Sequence, residues 1–100
     1  MNRFFDELGE RWVAAAERRS ATIEAPSLDA KVALELLELA RVAAHTQERR
    51  FAPLSCYMAG VAAERLRAAK GSFDDMEVAA LILEVRQELE REIPAAPNER

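Results

Sequence analysis

A proline set between two stretches of helical periodicity constrains the fold of this chain more than any other feature. Pro53 follows Arg49-Arg50-Phe51-Ala52, and apolar residues recur at spacings of three and four on both sides of it. Proline disfavours helical geometry at the preceding residue, so Ala52 is expected to be extended. Pro53 itself suits the first turn of a helix, where its missing N–H costs nothing. A helix, a corner and a second helix therefore form the centre of the chain. The segment around the corner, Leu39 to Gly60, also holds the only histidine, cysteine and tyrosine.

The same reading extends outward. Residues 2–19 form an amphipathic helix that Asn2 can cap. Phe4, Phe5, Leu8, Trp12, Ala15 and Ala16 share one face, and Asp6, Glu10 and Glu17 face the other way. Gly9 weakens its interior by about 1 kcal/mol relative to alanine. Ser20 to Ser27 is the longest loop, and Pro26-Ser27 signals a second helix over 28–48. Its main apolar face is Val32, Ala33, Leu36, Leu37, Leu39, Ala40, Ala43 and Ala44. On the opposite face Leu34 and Val42 stand among Glu38, Arg41, His45 and Arg49, which suggests a second contact surface.

The third helix spans 53–70. Its first half is apolar all round, the pattern of a central, buried helix. Gly71 stops it. Ser72 caps a fourth helix over 73–92, with Asp75 completing a variant capping box. Val78, Ile82, Val85, Leu89 and Ile93 make its apolar stripe, and Glu77, Glu84, Glu88 and Glu90 its acidic face. Pro94 ends it. No β pattern or internal repeat is present. The expected fold is all-α, a four-helix up-down bundle-like domain over residues 1–94, with 95–100 a flexible C-terminal tail.

Composition narrows the function classes. The net charge is −4 and the pI near 5.1, against the basic stripe of a duplex-binding domain, so no nucleic-acid partner is expected. The longest uncharged run, Phe51 to Ala63, is too short to span a bilayer. Asp6, Glu7 and Glu10 stand where a signal peptide would need an apolar segment, so no signal peptide and a cytoplasmic location are expected. Cys56 has no second cysteine to pair with and reads as a small buried residue in a reducing compartment. One hundred residues give a thin core, which favours self-association.

The candidate binding residues are Arg41, His45, Arg49, Arg50 and Tyr57. Residues 41, 45 and 49 lie four apart, with Glu38 beside them. Such a stripe suits a phosphate or carboxylate. It equally suits an intrahelical ladder, Glu38 to Arg41, worth about 0.2–0.5 kcal/mol per pair. His45 at a helix end also suits the helix dipole. Arg49 and Arg50 are placed to donate to the last carbonyls of the preceding helix. Tyr57 is expected in the core, its hydroxyl on a polar partner such as His45. Candidate interface residues are Leu34, Val42, Trp12, Val78 and Val85.

No catalytic constellation emerges. One histidine and one cysteine do not make a metal site, and Val42 stands where a di-iron bundle would place a glutamate. Cys56 sits in an apolar turn that raises a thiol pKa. The three glycines are scattered, so there is no phosphate loop. No enzyme activity, metal or cofactor is expected.

Leu39-Ala40-Arg41, Ala44-His45, Glu48-Arg49-Arg50-Phe51-Ala52-Pro53-Leu54, Tyr57 and Gly60 together resemble a small bacterial domain of unknown function. Its pattern is roughly L-A-R-x-x-A-H-x-x-x-R-x-x-A-P-L-x-x-[YF]-x-x-G, and the resemblance covers about 22 residues closely. In that family an acidic residue is common where Val42 stands, and an apolar one where Gln47 stands. The domain occurs alone or with molybdenum cofactor guanylyltransferases. The resemblance implies a small helical protein, with Arg41, His45, Arg49 and Arg50 the place to meet a pterin phosphate, a nucleotide or an enzyme's acidic surface. Two functional readings result. One is a non-enzymatic helical accessory module that binds a protein, itself or a molybdenum-cofactor enzyme, with a link to molybdopterin-dinucleotide biosynthesis. The other is a small-molecule domain that binds a phosphate- or nucleotide-type anion.

Overall fold

Asn2 opens the first helix as the sequence predicts, its side-chain oxygen accepting the Phe5 N–H at 3.3 Å. In the computed structural model, which describes residues 2–92, four helices follow: α1 (Arg3–Glu17), α2 (Ala30–Thr46), α3 (Phe51–Lys70) and α4 (Asp75–Arg91). No strand occurs among the described residues, and the chain is all-α. Ile93 and the expected tail lie outside the described residues. By internal contacts the chain divides into two compact units, Met1–Ala30 and Lys31–Arg100.

In the first unit α1 ends in a Schellman turn. The Ala21 N–H reaches the Ala16 carbonyl and the Ser20 N–H the Glu17 carbonyl, with Ser20 left-handed at φ 64°. Gly9 has a purpose that its low helix propensity hides. The loop after α1 folds back over it, and a Cβ at position 9 would lie 2.6 Å from the Pro26 carbonyl oxygen.

In the second unit α2, α3 and α4 enclose a small core of Leu39, Ala63, Val78 and Ile82, with Leu36 and Phe73 packed against it. Three local expectations need correction. First, Ala52 is helical and not extended, because α3 begins at Phe51. The Phe51 N–H donates to Glu48 O at 3.0 Å and the Ala52 N–H to Arg49 O at 3.2 Å, while Pro53 has no N–H to satisfy. The first turn is thereby satisfied without a side-chain cap. Second, α4 starts two residues later than Ser72 suggests. Asp74 accepts from the Glu77 N–H at 2.9 Å and Glu77 from the Asp74 N–H at 2.8 Å, a complete capping box. Phe73 belongs to the core margin and its carbonyl accepts from Arg67 Nε at 3.1 Å, which keeps it out of the helix. Gly71, left-handed at φ 83°, ends α3 as predicted.

Third, the buried faces differ from those read by periodicity. On α2 Leu37 is 68% exposed and Val42 only 2%. The inner face is rotated by roughly 60° from the expected one, at 100° per residue, toward Glu35 and Val42. Helix α3, expected to be the central buried helix, has only Ala63 buried.

Candidate functional site

Two surfaces compete for a functional role: the arginine–histidine stripe at the end of α2 and the apolar side of α3. The structure does not gather the stripe into one site. Arg41 Nη2 lies 3.0 Å from Glu38 and 3.4 Å from Glu90, so its charge is already matched. Arg50 pairs with Glu48 at 2.7 Å. Neither Arg49 nor Arg50 caps the α2 carbonyls. The helix ends instead with Thr46 Oγ1 donating to Val42 O at 2.8 Å and the Gln47 N–H to Ala43 O. His45 and Arg49 are exposed, without a partner among the described residues. Tyr57 is 74% exposed and donates to nothing there, contrary to the expected core ring with an anchored hydroxyl.

The charges that the sequence reading missed form a clamp between α2 and α4. Arg86 holds Glu35 at 3.1 Å and Glu90 at 2.9 Å, and Glu90 in turn meets Arg41. Arg86 and Glu35 are the most covered charged pair described, with side chains 14% and 18% exposed. Partial burial works against the Arg86 charge. The hydrogen bond to Glu35 and the charges of Glu35, Glu90 and Glu38 outweigh it, and the arginine pKa is raised. Glu35 and Arg86 lie 51 positions apart in sequence, so no helix periodicity could have joined them.

The apolar side of α3 is the stronger feature. Leu54 is 60% exposed and Met58 70%, in a segment whose composition is that of a core. Beside them runs an apolar groove of about 420 Å³ between α3 and α4. Leu39 and Ile82 form its floor, Met58 and Ala62 one wall, Leu81 and Val85 the other. Its sequence signal is the excess of apolar residues on α3, which periodicity alone does not distinguish from burial. A second groove of about 220 Å³ lies between α2 and α4, lined by Leu34 and Met76. Neither groove includes Arg41, His45, Arg49 or Arg50. Of the candidate interface residues, Leu34, Trp12 and Val85 are exposed. Val42 and Val78 are buried in the protein and present nothing to a partner.

Cys56 is half-buried, its Sγ 3.6 Å from the Leu36 carbonyl, and burial pushes its pKa up. The thiol therefore stays protonated at neutral pH. No group of three or more His, Cys, Asp or Glu side chains among the described residues is arranged to hold a metal. No helix among them is long and apolar enough to cross a membrane.

Residues 6–97 match the family described as domain of unknown function DUF6457. The chain belongs to that family. No curated protein and no solved structure gives a significant match. The family is one of unknown function, so membership assigns no activity to the chain.

Proposed function

We propose that this chain is a non-enzymatic helical accessory module that works by binding protein. The observation that carries this reading is the exposed side of α3. A stretch of core-like composition leaves Leu54 and Met58 in solvent beside an apolar groove. Contiguous apolar surface of this kind marks an interaction site. The resemblance at the Pro53 corner supplies a partner class, a molybdenum cofactor guanylyltransferase or molybdoenzyme, and with it a role in molybdopterin-dinucleotide biosynthesis. A half-buried free thiol fits the cytoplasm, where such a module would work.

The anion-binding reading has less behind it. Arg41 and Arg50 already have carboxylate partners, which leaves His45 and Arg49 as two exposed side chains outside both grooves. The test is binding by calorimetry of the full chain, and of its Leu54→Glu and Met58→Glu variants, to a purified guanylyltransferase and to itself. Binding by the natural chain that both variants lose supports the module. Absence of binding to either protein, with inorganic phosphate shifting the melting temperature in an Arg49-dependent way, replaces it with the anion reading.

A further inference from the structure

We infer that the occupant of the α3 surface is a second copy of this chain, joined as a two-fold dimer with α3 of each copy lying antiparallel across the α3/α4 groove of the other. The inference rests on the module reading above and names its partner. Leu54, Met58, Val61 and Arg65 recur at spacings of four, three and four, so they form one edge of α3. That edge is apolar for three positions and then cationic. On the other rim of the groove Glu84 and Glu88, four apart on α4, stand directly beside Leu81 and Val85. Arg65, Glu84 and Glu88 are all exposed, and none has a partner among the described residues.

Within one copy the cation and the carboxylates lie on opposite rims. A two-fold operation brings the α3 edge of one copy over the groove of the other and carries Arg65 toward the partner's Glu88, twice by symmetry. The chain thus holds both halves of a self-complementary surface, which an isologous interface requires. The area suffices. The exposed parts of Leu54, Met58 and Val85, at 60%, 70% and 43%, with Arg65 and the partly exposed Val61, offer on the order of 500 Å² per copy, so a pair comes to about the 1,000 Å² at which specific interfaces begin.

The test is sedimentation equilibrium of the full chain up to about 100 μM, a range that reads a micromolar Kd, with circular dichroism to verify that each variant is helical. The expected result is twice the chain mass, reduced to a monomer by Met58→Glu, a substitution at a side chain exposed enough not to unfold the protein. Arg65→Glu alone and Glu88→Arg alone each weaken the dimer about tenfold, from two rim pairs lost per dimer. The combined Arg65→Glu/Glu88→Arg variant regains most of that loss. A monomer at every concentration overturns the inference, as does a dimer indifferent to Met58→Glu or a double variant no better than the single ones. A monomer that still captures the guanylyltransferase through Met58 overturns the dimer and leaves the module reading standing.

Discussion

Replacing Arg86 by alanine tests whether the α2–α4 clamp holds the second unit together. Arg86 bridges Glu35 at 3.1 Å and Glu90 at 2.9 Å, and the Glu35 and Arg86 side chains are 18% and 14% exposed. Exposed ion pairs contribute about 0.2–1 kcal/mol. Breaking a fully buried pair costs about 3–5 kcal/mol, because a desolvated charge is left behind. A pair covered to this degree falls between the two, so Arg86→Ala is expected to destabilise by about 2 kcal/mol. In a domain of this size that lowers Tm by about 8–16 °C. Thermal and urea denaturation followed by circular dichroism measure it. Glu35→Leu/Arg86→Met, which removes both charges and leaves apolar packing, should recover most of the loss. Arg3→Ala, which removes the exposed pair to Glu7, serves as the control and should change stability by less than about 0.5 kcal/mol. The sign of the pH effect is fixed as well. A raised arginine pKa contributes stability that is complete below the ordinary arginine value and lost only as pH rises through the folded one. The Arg86 term should therefore be flat across neutral pH. An Arg86→Ala variant as stable as Arg3→Ala would refute the clamp, and so would a double variant no better than the single one.

Gly9→Ala should destabilise although alanine gains about 1 kcal/mol of helix propensity, because its Cβ meets the Pro26 carbonyl at 2.6 Å; a melt above the natural chain's would contradict this. Asp74→Ala removes the reciprocal capping box of α4 and should cost about 1 kcal/mol in urea denaturation, while Ser72→Ala should cost nothing measurable. Cys56 should react with a thiol reagent more slowly in the folded chain than after unfolding in urea. Its raised pKa gives stability that is full below the ordinary thiol value and is lost as pH rises through the folded one. Cys56→Ala should remove that alkaline loss.

Where sequence reading went astray, each case has its own physical cause. Ser72 and Asp75 stand at the same spacing as Asp74 and Glu77, so the capping pattern alone cannot choose between two starts for α4. Phe73 chooses, because the core margin takes its ring and Arg67 takes its carbonyl. On α2 the alanines at 33, 40 and 44 widen the apparent apolar face and blur its centre. The observed face turns toward Glu35 because Arg86, 51 positions away, gives that carboxylate a partner. At Ala52 the rule for residues before proline gave way to a turn already closed by the Glu48 and Arg49 carbonyls. In the candidate site, the spacing of Arg41, His45 and Arg49 predicts one stripe, but α2 ends at Thr46, so Arg49 lies past the helix in the turn before α3. The charge of Arg41 is also matched, since Glu90 reaches it through the packing of α4 on α2.

The sequence by itself determined the all-α class, the order of the four helices, the Asn2 cap and the Gly71 stop. These follow from interactions within a few residues of one another, which periodicity and capping chemistry report directly. Only the tertiary structure decided which apolar residues are buried. Helix α3 has the composition of a core helix and leaves Leu54 and Met58 in solvent, because α2 and α4 cover only one side of it. Burial depends on how many elements surround a helix, and that number is not written in the helix's own residues.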